Sequence, residues 1–220
     1  PTAADELAGL VGKVQAGPQP LRTKSGLRCW PRKCEDVKPM LAKTFDGRDV
    51  SGWWISEKLD GVRAIWTGTE LRSRAGVLFN PPDWFTDQLL AGVALDGELW
   101  AGRGTLGLTV GAINSKHNAA AKWRAVRFMV YDAPLSAGGF EDRLAAAEAA
   151  VGGSTIAEVL GQRRCAGRSD CAAFLSDVLA QGGEGAMLRR PGSAYEFKRS
   201  AAMLKLKPGE GADALLAAMS

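Results

Sequence analysis

Apolar positions along the chain come in short blocks, not long runs. The blocks at 53–56, 62–67, 93–100, 126–131 and 186–188 end in glycine, proline or charged turn residues, which predicts buried strands. Segment 140–151 is rich in Ala and Glu, with Leu144 and Ala147 on one face, and 171–180 repeats Phe174, Leu175, Val178 and Leu179. Both read as helices. Helices and strands do not alternate regularly, so a doubly wound parallel sheet is disfavoured. The pattern predicts an α+β fold of mostly antiparallel sheets packed with flanking helices.

The first 36 residues read differently. Segment 4–14 has Leu7, Leu10, Val11 and Val14 at helical spacing, and after Gly17-Pro18-Gln19-Pro20 comes a basic stretch holding Arg22, Lys24, Arg28, Arg32 and Lys33. Such a run is either solvated or laid along a phosphate backbone. The expected organisation is a basic extension over 1–36, one mixed domain of strands and helices over 37–208 and a short tail over 209–220.

Composition adds bounds. The chain has 220 residues, 46% of them hydrophobic and 24% charged, enough to bury a sizeable core. No stretch approaches the ~18 apolar residues of a spanning helix, so no membrane partner is expected. The sequence starts at Pro1 with no signal-peptide pattern. That leaves the compartment open between cytoplasm and, if a leader was removed, periplasm. A formal net charge of +4 favours an anionic partner without naming one. Cys29 and Cys34 have four residues between them, Cys165 and Cys171 five, and the single histidine, His117, is far from the first pair. Unrelated thiols, a disulfide within either pair and a shared metal site all stay open, in that order of preference.

The most informative stretch is Glu57-Lys58-Leu59-Asp60-Gly61-Val62-Arg63, which follows the apolar Trp53-Trp54-Ile55. Only the neutral amine of a lysine is nucleophilic, and a charged setting is how a chain tunes one. Four other clusters accompany it. Asp96-Gly97-Glu98 closes an apolar run, Phe128 to Asp132 ends a strand in an aromatic and an acid, and Glu184-Gly185 precedes another strand. Lys205-Leu206-Lys207 places both ammonium groups on one side of an extended chain. Singly, each has a plain structural explanation, such as a turn or a guarded strand edge. As a set they supply what phosphoryl-type transfer needs: an amine, carboxylates for a divalent metal, cations for phosphates and an aromatic plate for a purine.

In this order and spacing the five motifs resemble the nucleotidyltransferase motifs of ATP-dependent DNA ligases, whose superfamily includes RNA ligases and mRNA-capping enzymes. The linking segments Pro39-Met40-Leu41-Ala42, Leu71 to Gly76, Glu98 to Gly104 and Trp123 to Pro134 resemble the minimal bacterial type. The resemblance implies a ligase-type, ATP-grasp-like fold, a monomer, and sealing of nicked double-stranded DNA with ATP and Mg²⁺ or Mn²⁺. It implies that Lys58 takes AMP from ATP, with Asp60 and Arg63 completing its motif. Nucleotide binding would fall to Ser56, Glu57, Lys58, Arg63, Glu98, Tyr131, Glu184, Lys205 and Lys207. Within that set Ser56 would read the adenine amino group, Tyr131 would stack on adenine, and Glu98 and Glu184 would hold metal. Lys205 and Lys207 would neutralise phosphate, Lys207 also favouring the neutral form of Lys58. DNA contacts would fall to Arg63, Arg74, Arg103 and Arg199.

The tail departs from the family pattern. Ligases of this type continue into an OB-fold, and the twelve residues 209–220 cannot build its five strands. The expectation is therefore a catalytic domain whose OB-fold is absent, with a separate OB-fold or clamp partner as one remedy. Two alternatives accompany the ligase reading: an RNA ligase or capping-type enzyme, and a non-catalytic nucleic-acid-binding module with a ligase-like groove.

Overall fold

The computed structural model describes residues 39–115 and 119–209, together with 212 and 215. The expected helix at 4–14, the basic stretch, Cys29, Cys34 and His117 lie outside the described residues.

Two five-stranded sheets form the body. The first contains β1 (Leu41–Thr44), β2 (Trp54–Lys58), β8 (Arg163–Arg164), β9 (Gly185–Arg189) and β10 (Arg199–Leu206), in the order β1-β10-β9-β2-β8. The second contains β3 (Val62–Trp66), β4 (Leu71–Ser73), β5 (Leu95–Trp100), β6 (Arg127–Asp132) and β7 (Ala157–Val159), in the order β4-β3-β5-β6-β7. All neighbours are antiparallel except β1 with β10 and β6 with β7, each at a sheet edge. Five helices complete the described fold: α1 (Asp83–Thr86), α2 (Leu106–Ile113), α3 (Ala119–Trp123), α4 (Phe140–Val151) and α5 (Arg168–Ala180). The α+β reading holds. None of these helices is long and apolar enough to cross a membrane.

Alternation along the strands gives each sheet two faces. Ile55, Ala186, Leu188, Leu204 and Leu206 pack with Cys171, Ala172 and Leu175 of α5 in one core. Ala64, Trp66, Leu95, Leu99, Phe128 and Val130 pack with Phe85, Trp123 and Ala147 in the other. The intervening residues of both sheets face a common seam, and the cleft opens there. Met40, Met203 and Tyr195 pack together in a third apolar cluster, from which Met203 lines the cleft.

The five expected strands are all present, shifted by one or two residues, and α4 has the expected bounds. Asp96-Gly97-Glu98, which has a plain reading as a turn, lies inside β5. A Cβ at Gly97 would stand 2.5 Å from the Met129 carbonyl oxygen, so glycine is what lets β5 approach β6 there. Beside it the ladder slips: Asp96 pairs with Asp132 and Gly97 with Val130, leaving Tyr131 as the extra residue of a β-bulge.

Candidate active site

Strand register sets the rows of side chains on the cleft face of the first sheet. Along β2 that face carries Trp54, Ser56 and Lys58. Ser56 pairs with Met187, and Met187 with Lys205, forming one row. Lys58 pairs with Gly185, and one step past Leu206, which pairs with Ala186, the register places Lys207 opposite the same glycine. No side chain intervenes between the two lysine positions, and Lys207 Cβ lies within 3.2 Å of where a Cβ on Gly185 would be. The turn after the nucleophile candidate is equally constrained. A Cβ on Gly61 would stand 2.4 Å from the Leu99 carbonyl oxygen and 2.7 Å from Glu98 Cγ, so glycine brings β2 and β5 together.

The resulting cleft has a volume of about 330 Å³. Ser56, Glu57, Lys58, Arg63, Arg74, Glu98, Tyr131, Arg199 and Lys205 all line it, so nine of the expected site residues meet in one place. Lys58 Nζ donates to Glu184 Oε2, which sits just ahead of β9. Arg74 and Arg199 are exposed at the rim, and Arg199 Nη1 donates to the Ala42 carbonyl at 2.5 Å. Asp60 occupies the turn between β2 and β3. Arg103 does not line the cleft. Its guanidinium donates twice to the Glu57 carboxylate, at 2.8 Å each, and once to Gln181 at 3.0 Å. Glu57 accordingly turns its carboxylate to Arg103.

Glu98 is the electrostatic anomaly of the site. Burial pushes its carboxyl up to about 7, against the pull of Arg63 and Lys58 and with help from Asp96 and Glu184. It makes no hydrogen bond among the described residues. Burial likewise pushes the Tyr131 phenol up, and the Arg63 guanidinium lies 5.8 Å from the centre of its ring.

Beneath the cleft lies a charge network that sequence reasoning missed. Arg63 donates from Nε (3.0 Å) and Nη2 (2.6 Å) to Asp96, which is fully buried. The Tyr195 hydroxyl donates to the same carboxylate at 2.7 Å and accepts from the Met40 N–H at 3.0 Å. Asp132, also fully buried, accepts from Arg143 at 2.6 and 3.2 Å and from Arg189 at 2.8 Å. Asp96 and Asp132 belong to the second sheet, whereas Arg189 belongs to the first and Tyr195 to the loop between two of its strands. The network therefore joins the sheets. One signal was available in the sequence: Arg143 sits on the apolar stripe of Phe140, Leu144 and Ala147, where a buried arginine needs an acid.

Cys165 and Cys171 are free, buried neighbours. Burial, then Cys165, pushes the Cys171 thiol up to about 12. Among the described residues no three His, Cys, Asp or Glu side chains are grouped to hold a metal ion.

This architecture and site have clear relatives. No family model matches the chain. A structure from a structure–function study of DNA binding by Lig E DNA ligases is 33% identical, with a TM-score of 0.72, over 77% of this chain and 68% of that one. The chain belongs to the DNA ligase family. The DNA ligase of Haemophilus influenzae is 33% identical over 174 residues, 78% of this chain. This ligase-family chain spans 64% of that relative's length. The fold is shared more widely, as the Chlorella virus DNA ligase–adenylate shows: 22% identity and a TM-score of 0.63, over 78% of this chain and 69% of that one.

Proposed function

We propose that the chain is the adenylyltransferase domain of an ATP-dependent DNA ligase. One observation carries this reading: Lys58 opens into a single cleft with two acids, an aromatic plate and a rim of cations. Lys58 Nζ, as the neutral amine, attacks the α-phosphorus of ATP and gives up a proton to solvent as the phosphoramidate forms. The new N–P bond forms as the bond to the β-phosphate oxygen breaks, and pyrophosphate leaves with that electron pair. The AMP then passes to the 5′-phosphate of a DNA nick, and the adjacent 3′-hydroxyl displaces it to seal the strand.

The residues divide this work by position. Glu184 orients Nζ, Tyr131 offers a face to the base, and Ser56 offers a hydroxyl to its edge. Lys205 and Lys207 flank the nucleophile with the charge that a triphosphate needs. Arg74, Arg199 and Arg63 are the candidates for the nick phosphates. Arg103, tied to Glu57, positions that residue and is a weaker candidate for the DNA backbone.

A divalent ion fits this donor set. Glu98 is a desolvated carboxyl with no hydrogen bond among the described residues, near Glu184, and Mg²⁺ is commonly held by one or two carboxylates plus substrate phosphates. Glu98 and Glu184 would hold Mg²⁺ or Mn²⁺, which supplies neutralisation of phosphate charge when bound. The test is incubation with ATP and Mg²⁺ followed by intact-mass measurement. The chain should gain one AMP, lose it again on nicked duplex DNA, and gain none as Lys58→Ala. A folded Lys58→Ala chain that still acquires AMP would sink the assignment.

A further inference from the structure

The row on the cleft face does not stop at Ser56. Trp54 pairs with Arg164 and Ile55 with Arg163, so the next step of that antiparallel register sets Gln162 opposite Ser56. Gln162 lines the cleft, as Ser56 and Met187 do. We propose that Gln162 reads the edge of the purine base, with Ser56 beside it, and so sets the nucleotide preference of the site. This rests on the ligase reading above and extends it to a residue outside the motifs.

The position is built for such a role. The Leu160 N–H donates to the Val130 carbonyl at 2.7 Å, which ties the start of the segment to the second sheet. The Cys165 N–H donates to the Trp53 carbonyl at 2.7 Å, which ties its end to the first. The two arginines that follow Gln162 are fixed as well. Arg163 is held by Asp170 at 2.8 and 2.9 Å, and Arg164 stacks on Trp54 at 4.1 Å while donating to Glu141. Among the described residues the Gln162 amide has no hydrogen-bond partner, and neither has the Ser56 hydroxyl. A rigid backbone thus presents an unspent amide to the cleft.

Polarity along the cleft says which part of a nucleotide arrives there. Lys58, Lys205, Arg74 and Arg199 mark the end that takes phosphates. Leu160, Phe140, Met187 and Tyr131 offer apolar and aromatic surface for a flat ring. Trp54 packs edge-on against the cleft-lining Phe140 at 6.4 Å, with Ser56 about 7 Å along the strand from both Trp54 and Lys58. A base lying on that surface turns an edge toward Ser56 and Gln162. A glutamine amide carries an acceptor and donors side by side, the complement of an adenine amino group next to a ring nitrogen.

The experiment compares ATP with purine riboside triphosphate, which lacks the 6-amino group, by the kcat/KM for covalent nucleotide uptake. The chain should prefer ATP by roughly 3- to 10-fold, the worth of one net hydrogen bond. In Gln162→Leu the preference should shrink, through a larger loss with ATP than with the analogue, which keeps the ring nitrogen and lacks only the amino group. An unchanged ratio in a variant that still takes up both nucleotides overturns the proposal and leaves the ligase reading intact. If Gln162→Leu takes up neither, Gln162→Met, unbranched and of similar length, decides by the same ratio. A wild-type chain that takes up no AMP removes the ligase reading, and this inference with it.

Discussion

Two sets of charges lie within a few residues of each other and are handled in opposite ways. In the seam between the sheets, Asp96 and Asp132 have no exposure, and every oxygen is met by a guanidinium or a phenol. At the cleft the carboxyls are half-open: Glu184 holds Lys58, Glu57 holds Arg103, and Glu98 has no hydrogen bond among the described residues. Satisfied burial makes a joint, because moving any member strands a charge in low dielectric. Incomplete satisfaction makes a site, because a ligand can supply what is missing. The same side-chain types thus serve architecture in one place and chemistry in the other.

The comparison breaks most easily at Asp132. Asp132→Ala leaves Arg143 and Arg189 buried beside each other without their acid. The expected cost is about 3–5 kcal/mol of folding stability. Thermal unfolding should show it as a fall of roughly 10 °C in Tm. A loss below about 1 kcal/mol would mean that the seam does not depend on this network.

Glu98 sharpens the other side through pH. Its carboxyl is raised to about 7 in the folded chain from an ordinary value of 4.5. Between those values the folded state binds the proton and the unfolded state does not, so stability falls as pH rises through that window. The loss is complete above about pH 7 and amounts to at most about 3 kcal/mol for a half-open group. Glu98→Gln should remove this slope, so the difference in Tm between variant and wild type should grow from pH 4.5 to 7 and then level off. A difference that stays flat across the window would show that Glu98 titrates normally. Added Mg²⁺ should offset the loss above pH 7 if the acid is a ligand.

How far this contrast was legible in the sequence depends on chain distance. Lys58, Glu98, Tyr131 and Glu184 stand beside glycines or at the ends of apolar blocks, and those local signals located the strands that carry or follow them; of β10 only Lys205-Leu206-Lys207 was read as extended chain. Arg63 with Asp96, by contrast, is a pair 33 residues apart, and Arg189 with Asp132 one 57 apart. No periodicity links such residues; only the packing of two sheets does. The bulge that leaves Tyr131 unpaired is a mismatch between two strands and has no signature in either alone. The edge strands β1, β4, β7 and β8 were missed for another reason: at two to four residues they are too short for alternation to show. Helix α2 was missed because Leu106–Ile113 is apolar on nearly every side and carries two glycines, so no polar stripe marks its period.

The weakest expected effect completes the contrast at Arg103. Its guanidinium makes two well-formed hydrogen bonds to Glu57, much like those in the seam, yet the side chain is 33% exposed. Geometry alone would rank it with Arg143. Solvent decides otherwise, since water rehydrates both partners when the pair is broken and salt screens it while it stands. Arg103→Ala should therefore cost less than about 1 kcal/mol in urea unfolding, several-fold below Asp132→Ala. The same variant measured for nicked-DNA binding adds a second reading. If Arg103 reaches the DNA backbone, the slope of log affinity against log salt should flatten by about one unit, whereas an unchanged slope confines it to holding Glu57.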